Sequence, residues 1–140
     1  MPVAVVDACV AVAWAMPDEQ AGPEAELLRA HQERRIGLLA PSIWEYEVAN
    51  ALRMAVLRGR VTPGFGSGLL AVLLGMGIVV TGFTDLADRV WELSVSRAIA
   101  VYDASYIALA ETRGCDLYTC DQQLATAAGE FVGVHLIRPR

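Results

Sequence analysis

The amino-acid sequence predicts an α/β domain in three layers, with a mainly parallel central sheet of about five strands flanked by helices. Two observations predict this class. Short apolar runs alternate with longer runs of helical periodicity along the chain, and such alternation favours parallel strands joined by right-handed crossovers. The 140 residues are 55% hydrophobic and contain no extended linker or repeat, which predicts a single domain over residues 1–140 with a substantial core.

The first half of the chain is predicted to form strands and helices in alternation. Val3–Asp7 is a continuous apolar run, so we expect a central strand. Ser42–Arg58 has the clearest helical periodicity, and Ser42 and Glu45 stand at the spacing of a capping box. The other predicted elements are a helix at Ala8–Ala15, a loop at Met16–Pro23, a helix at Glu24–Arg35, a strand at Ile36–Ala40 and a helix at Pro63–Leu74.

The second half is predicted to continue the alternation. Leu117–Thr119 is a short strand-like run that we expect beside the first strand, and Gly114 closes the helix before it. Asp88 and Glu92 stand four residues apart and are predicted to face solvent. The other elements are a strand at Ile78–Thr81, a helix from Thr84 or Asp85 to Arg97, a helix from Asp103, a helix from Asp121, a strand at Val134–Ile137 and a tail, Arg138–Arg140.

The cysteines and histidines exclude two kinds of site. Cys9, Cys115 and Cys120 are odd in number and lack paired spacing, so they predict reduced thiols in a cytoplasmic protein rather than a disulfide framework. His31 and His135 lie far from the cysteines along the chain, which argues against a zinc site. No base is placed to activate Cys9, so nothing predicts a nucleophilic thiol.

The net charge and the longest uncharged stretch limit the classes of function that remain. The net charge is −5, which is unusual for a protein that binds nucleic acid unless a divalent metal neutralises clustered acids. Residues 61–84 carry no charge, but a proline and six glycines interrupt them. These breakers predict a buried helix and a strand, and no membrane association.

Three aspartates stand where predicted strands and helices meet. Asp7 ends the first strand, Asp121 follows Thr119 after another strand, and Asp103 is predicted to cap a helix. Because ligands of parallel sheets bind outside the carboxyl ends of the strands, these side chains are candidates for one acidic cluster, with Thr119 beside it. Three independent helix caps explain the same spacing equally well, and the sequence leaves both interpretations open.

Glu47 is a fourth acidic candidate. It shares a helix face with Asn50, Ala51 and Met54. A carboxylate that points inward from this apolar-rich helix needs a partner or a metal ion, whereas a glutamate at the helix edge needs neither. Hard cations such as Mg²⁺ and Mn²⁺ prefer carboxylate oxygens, so four converging acids would form a cation site.

Four motifs resemble the PIN-domain family, and more narrowly the VapC-type toxin ribonucleases of bacterial toxin–antitoxin pairs. They are Val5–Cys9, Ala40–Leu52, Tyr102–Glu111 and Leu117–Asp121. The four motifs in this order, in a chain this short, are specific. The resemblance extends over nearly the whole chain and implies a PIN-like fold for the three-layer domain.

The resemblance implies a metal-dependent endoribonuclease, the toxin of a VapBC-type pair, that hydrolyses RNA to 5′-phosphate and 3′-hydroxyl ends. Its implied partners are RNA, a cognate VapB-type antitoxin and a second copy of the chain in a homodimer. The implied metal, Mg²⁺ or Mn²⁺, is bound at the catalytic positions Asp7, Glu47, Asp103 and Asp121, with Thr119, Asn50 and Ser105 in support. Cys9 departs from the serine or asparagine common after the first aspartate, and a thiol is a weaker hydrogen-bond donor.

Two other classes of function are compatible with parts of the sequence. A PIN-fold nuclease of RNA processing without an antitoxin shares the motifs. A receiver-like regulatory domain also gathers acids at strand ends around Mg²⁺, but it needs a late lysine, and this sequence contains none. Trp14, Met16 and Trp44 are large apolar residues near predicted element ends, so they are candidates for an antitoxin or homodimer face, with burial in the core as the alternative.

Overall fold

A parallel sheet of five strands, in the order β3-β2-β1-β4-β5, lies at the centre of the computed structural model of the chain. The structure describes residues 1–16 and 22–137. The strands are β1 (Val3–Val6), β2 (Gly37–Pro41), β3 (Val79–Thr81), β4 (Asp116–Thr119) and β5 (Val134–Leu136). Every neighbouring pair is parallel.

Seven α-helices lie within the described ranges and flank the sheet. They are α1 (Ala8–Ala15), α2 (Pro23–Gln32), α3 (Ile43–Leu57), α4 (Pro63–Leu74), α5 (Ala87–Arg97), α6 (Val101–Arg113) and α7 (Gln122–Ala128). Helix α6 contacts β1, β2 and β4, while α1 packs against α3 and α5 packs against α6. The predicted class, a five-stranded parallel sheet flanked by helices, is confirmed.

The strand order places a crevice beside β1. From β1 the chain moves to β2 and β3 on one side, and it then returns to form β4 and β5 on the other side. The carboxyl ends of β1 and β4 therefore flank the switch point, where open parallel sheets bind ligands. Val5 and Val6 are fully buried, which explains the uninterrupted apolar sequence of β1 and confirms its predicted position between β2 and β4.

Two predicted helix caps are wrong. Helix α6 begins at Val101, with Ala100 at the N-cap, so Asp103 lies inside the first turn and does not cap the helix. Ser42 stands at the N-cap of α3, but its backbone is already helical and its side chain makes no capping hydrogen bond. A capping serine normally has extended backbone angles, so the predicted capping box with Glu45 does not form.

Other predicted boundaries shift by a few residues. The fifth helix begins at Ala87 because a 3-10 turn, Phe83–Asp85, occupies its predicted start. The second helix begins at Pro23, since proline is tolerated in the first turn of a helix. Most of the predicted loop at Met16–Pro23, residues 17–21, and the predicted tail at 138–140 lie outside the described residues.

Three residues that were candidates for an interface lie in the core instead. Trp14, Met16 and Trp44 are at most 5% exposed and belong to the central hydrophobic cluster. Their large apolar surfaces stabilise the fold by burial, so none of them forms an exposed face. The predicted solvent exposure of Asp88 and Glu92 is confirmed. No helix in the described ranges is long and apolar enough to cross a membrane.

The two buried tryptophans differ in one hydrogen bond, which gives a stability prediction. Trp14 Nε1–H donates to the backbone oxygen of Glu24 at 2.8 Å, whereas Trp44 Nε1 is buried without a hydrogen-bond partner in the described part of the chain. Both tryptophan-to-phenylalanine changes lose similar volume, but only Trp14→Phe also loses this hydrogen bond. We expect Trp14→Phe to cost about 1 kcal/mol more than Trp44→Phe in urea unfolding. Equal losses of the free energy of unfolding in the two variants would contradict this interpretation.

Candidate functional site

The carboxyl ends of β1 and β4 bring three of the predicted residues together. Asp7 follows β1 directly and is only 7% exposed, and Thr119 ends β4 and is fully buried. Asp7 N–H donates to the backbone oxygen of Tyr118 at 2.9 Å, so the ladder between the two strands extends to the aspartate itself. Asp121 follows two residues after Thr119, at the N-cap of α7.

Thr119 connects the two strand-end aspartates. Its hydroxyl donates to Asp7 Oδ2 at 2.6 Å and accepts a hydrogen bond from Asp121 N–H at 3.0 Å. A hydroxyl has one donor and two acceptor positions, so it can serve both neighbours at once. Because Thr119 is fully buried, these two hydrogen bonds fix the position of the Asp7 carboxylate relative to the Asp121 backbone.

The interpretation of the aspartates as helix caps holds for one of them. Asp121 Oδ1 accepts hydrogen bonds from the backbone N–H groups of Gln123 and Leu124, at 2.8 and 3.3 Å. Asp7 stands at the N-cap of α1 but makes no capping hydrogen bond, and Asp103 lies within α6. A capping role therefore accounts for Asp121 and leaves the positions of Asp7 and Asp103 without a structural explanation.

Two helices bring further acids toward this crevice. Glu47 is half-buried on α3, and its Oε1 accepts a hydrogen bond from the Tyr106 hydroxyl at 2.7 Å. Asp103 is half-buried in the first turn of α6. Glu47 therefore points toward a neighbouring helix and has a partner, as the inward placement requires.

The pKa values of Glu47 and Asp103 show that neighbouring acids repel their charged forms. Burial raises the pKa of Glu47 most, and the negative charges of Asp7, Asp103 and Asp121 raise it further, whereas the hydrogen bond from Tyr106 lowers it. Burial is also the largest cause of the raised pKa of Asp103, followed by the charges of Asp121 and Asp7. Glu47 and Asp103 thus lie in one electrostatic environment with Asp7 and Asp121, whose negative charges disfavour their ionisation.

Two of the predicted supporting residues make no contact with the acids in the described structure. Ser105 is buried, but its hydroxyl donates to the backbone oxygen of Tyr102 within α6 at 2.5 Å. Asn50 is exposed on α3, and its side chain makes no hydrogen bond within the described residues. Their supporting roles stay predictions, whereas Thr119 has the contacts that such a role requires.

The structure adds one neighbour of the acids that the sequence did not identify, Tyr106, and it shows the contacts of Cys9. Tyr106 contacts Glu47, and the only sequence signal is its position three residues after Asp103, on the same helix face. Cys9 Sγ donates to Asp7 Oδ2 at 3.4 Å and accepts a hydrogen bond from Cys120 N–H at 3.0 Å. The thiol therefore contacts Asp7, but at a longer distance than the Thr119 hydroxyl does.

The Cys9 thiol is a hydrogen-bonding group and not an ionised nucleophile. Its pKa is raised far above the ordinary value, first by the hydrogen bond with the Cys120 side chain and then by burial and the charge of Asp7. The reactive form of cysteine is the thiolate, so this environment suppresses reactivity. The two histidines are occupied elsewhere: His31 lies near the backbone oxygen of Met76, and His135 stacks on Tyr118.

The donor set matches a hard, hydrated divalent cation. All four acids offer carboxylate oxygens, and their mutual repulsion would be relieved by positive charge. Within the described ranges, no three histidine, cysteine, aspartate or glutamate side chains lie close enough to form a cation cage. Mg²⁺ usually binds through one or two carboxylates and keeps several waters, so it does not require such a cage.

Comparison with known proteins agrees with this geometry. The PIN-domain family model matches residues 4–130. Ribonuclease VapC9 of Mycobacterium tuberculosis is 32% identical over 121 residues, which are 86% of this chain and 87% of that protein. PAE2754 from Pyrobaculum aerophilum, a crystal structure, has a TM-score of 0.71 and 28% identity, over 95% of this chain and 83% of its own.

A further solved structure supports the fold alone. VapBC2 from Rickettsia felis, bound to a DNA fragment from their promoter, has a TM-score of 0.69 and 11% identity, over 96% of this chain and 98% of its own. The family model spans nearly the whole chain, and the VapC9 match covers most of it. The chain therefore belongs to the PIN-domain family, as a relative of the VapC ribonucleases.

Proposed function

We propose that this chain is a metal-dependent endoribonuclease and the toxin of a toxin–antitoxin pair. The observation that carries the proposal is the acidic crevice at the switch point of the sheet. There Asp7 is oriented by Thr119 and Glu47 by Tyr106, while the pKa of Asp103 is raised partly by the charges of Asp7 and Asp121. The family and the ribonuclease relative support RNA as the substrate.

The proposed metal is Mg²⁺ or Mn²⁺, and the residues that would hold it are Asp7, Glu47, Asp103 and Asp121. When bound, such a cation supplies Lewis acidity and a water of lowered pKa for hydrolysis of the phosphodiester. The chain's own contribution is to orient these carboxylates, through Thr119 at Asp7 and through Tyr106 at Glu47. The proposed products carry 5′-phosphate and 3′-hydroxyl ends.

This chemistry uses neither a histidine base nor a covalent nucleophile. His31 and His135 contact groups outside the acidic crevice, and the raised pKa of Cys9 keeps that thiol protonated. Carboxylates that hold a hard cation would be sufficient for phosphodiester hydrolysis, because the bound cation would supply the chemistry otherwise given by a base or a nucleophile. The acid set is complete in this chain, which favours an active enzyme over a scaffold that has lost activity.

The proposed protein partners are a VapB-type antitoxin and a second copy of the chain. The Rickettsia felis relative in fold is a VapBC pair bound to promoter DNA, which supports the antitoxin by analogy. For the homodimer, Trp91 and Val95 lie one turn apart on α5 and are 69% and 65% exposed, which makes this helix a candidate face. Co-expression with the product of a neighbouring short reading frame should suppress toxicity; a nuclease of RNA processing without an antitoxin would show no such suppression.

Removal of the metal tests the proposed activity. The purified chain should cleave total cellular RNA into discrete fragments with Mn²⁺ or Mg²⁺, and excess EDTA should abolish the fragments because the carboxylates alone supply no Lewis acid. Gel analysis of the RNA, with metal added back after EDTA, is the measurement. Cleavage that persists in EDTA would overturn the four-carboxylate mechanism.

A further inference from the structure

We propose that the Tyr106 hydroxyl is the positioning group that holds the Glu47 carboxylate toward Asp7, and so sets the affinity of the acidic crevice for its divalent cation. This inference rests on the proposed function. Tyr106 touches no substrate in this account; it acts through Glu47. Neither the motifs nor the predicted supporting residues include such a role.

Tyr106 lies between two helices that carry acids of the crevice. It is 1% exposed on α6, and its hydroxyl donates to Glu47 Oε1 on α3 at 2.7 Å. Asp103 precedes Tyr106 by three residues on the same face of α6. One phenol therefore joins the side chain of Glu47 to the helix that carries Asp103.

The phenol is a neutral donor to the Glu47 carboxylate. A tyrosine hydroxyl can donate one hydrogen bond, and in Tyr106 that hydrogen bond goes to Glu47 Oε1 at 2.7 Å. A neutral donor can hold an anion among other anions without adding charge to the site.

Glu47 needs such a restraint more than the aspartates do. Its side chain is longer than that of Asp7, which Thr119 and Cys9 already contact. Repulsion from the other acids favours rotamers that turn the Glu47 carboxylate away from the crevice, and a buried hydrogen bond opposes that rotation. Partners of this kind commonly change metal affinity by about 10–100-fold when they are removed.

The test measures Mn²⁺ binding to the full chain after EDTA treatment, by titration calorimetry. Tyr106→Phe should weaken binding about 10-fold, because the ring still fills the core but Glu47 loses its donor. Tyr118→Phe is the matched control: Tyr118 is a half-buried tyrosine on β4, and its ring stacks on His135. It should bind Mn²⁺ like the wild type. Circular dichroism and thermal unfolding verify that both variants fold.

A double-mutant cycle of Tyr106 and Glu47 separates the positioning of the Glu47 carboxylate from a general effect on the fold. Glu47→Asp keeps the charge but withdraws it from the phenol by one methylene, so it should weaken Mn²⁺ binding by itself. Adding Tyr106→Phe to Glu47→Asp should then cause no further loss, because the two residues act as one unit. In RNA cleavage, Tyr106→Phe should need about 10-fold more Mn²⁺ for half-maximal rate, with the rate at saturating Mn²⁺ within about 2-fold of wild type.

Three results would overturn the inference, and they differ from one another. Wild-type affinity in Tyr106→Phe would remove the positioning role and leave the nuclease intact. Losses that add fully in the double variant would mean that the phenol acts through the fold and not through Glu47. Absence of Mn²⁺ binding in the wild type would remove the proposed function, and the positioning role with it.

Discussion

Replacing Asp103 with asparagine is expected to lower metal-dependent RNA cleavage at least ~10²-fold while the chain remains folded. Asparagine preserves the shape of the side chain but removes one of four negative charges that would hold the cation. Asp103 makes no capping hydrogen bond in α6, so the helix does not depend on its carboxylate. The measurement is the initial rate of cleavage at saturating Mn²⁺, with circular dichroism as the check on folding.

The same variant should be more stable than the wild type when metal is absent. The pKa of Asp103 is raised in the fold by burial and by Asp121 and Asp7, so the folded state binds this proton more tightly than the unfolded state does. The resulting stability is present below the ordinary pKa of 3.8 and is lost as the pH rises through the raised value. At pH 7.5 in EDTA, Asp103→Asn should therefore unfold at a higher temperature than the wild type, and the difference should shrink toward acid pH.

Asp88→Asn is the matched control for both measurements. Asp88 is exposed on α5 and belongs to the solvent-facing side of that helix, so its loss should change neither cleavage nor the pH dependence of unfolding. Undiminished cleavage by Asp103→Asn would show that the site is assigned wrongly. A metal-free Asp103→Asn protein that is less stable than the wild type at pH 7.5 would show that Asp103 stabilises the fold rather than straining it.

The sequence could predict the residues of the site that lie at the carboxyl ends of the strands. Asp7 and Thr119 each lie at the carboxyl end of a short apolar run, and parallel pairing of central strands brings such ends together without any knowledge of side-chain packing. The apolar sequence of Val3–Val6 likewise identified β1 as central. These predictions use only periodicity and chain order, and the structure agrees with them.

The part of the site that depends on helix packing could not be predicted in the same way. The contact between Tyr106 and Glu47 joins residues 59 positions apart, and it exists only because the fold brings α3 and α6 together at the crevice. Ser42 and Glu45 fit a capping box by spacing, yet the helical backbone angles of Ser42 prevent it. Asp103 looked like a cap because it precedes an apolar run, but α6 begins two residues earlier. Sequence signals for helix caps fail where tertiary packing determines at which residue the first turn of the helix begins.

Thr119 is a buried residue whose side chain forms hydrogen bonds with two of the acidic residues of the crevice. Its hydroxyl serves Asp7 and the backbone of Asp121 at 2.6 and 3.0 Å, and it is fully buried at the end of β4. Valine has nearly the same shape but offers no hydrogen bond. Thr119→Val would therefore leave the N–H of Asp121 without its partner and Asp7 Oδ2 with only the longer hydrogen bond from Cys9, and poorly satisfied buried groups are costly.

We expect Thr119→Val to lose about 2–3 kcal/mol of the free energy of unfolding, which lowers Tm by roughly 7–10 °C in a chain of this length. Cleavage at a fixed, subsaturating Mn²⁺ concentration should fall about 10–100-fold, because Asp7 is no longer held for the cation. Thr119→Ser keeps the hydroxyl and should retain most of the activity, while losing about 1 kcal/mol for the missing methyl. Thr126→Val, at an exposed hydroxyl on α7, should change neither quantity. If Thr119→Ser proved as inactive as Thr119→Val, the methyl packing rather than the hydrogen bonds would set the position of Asp7.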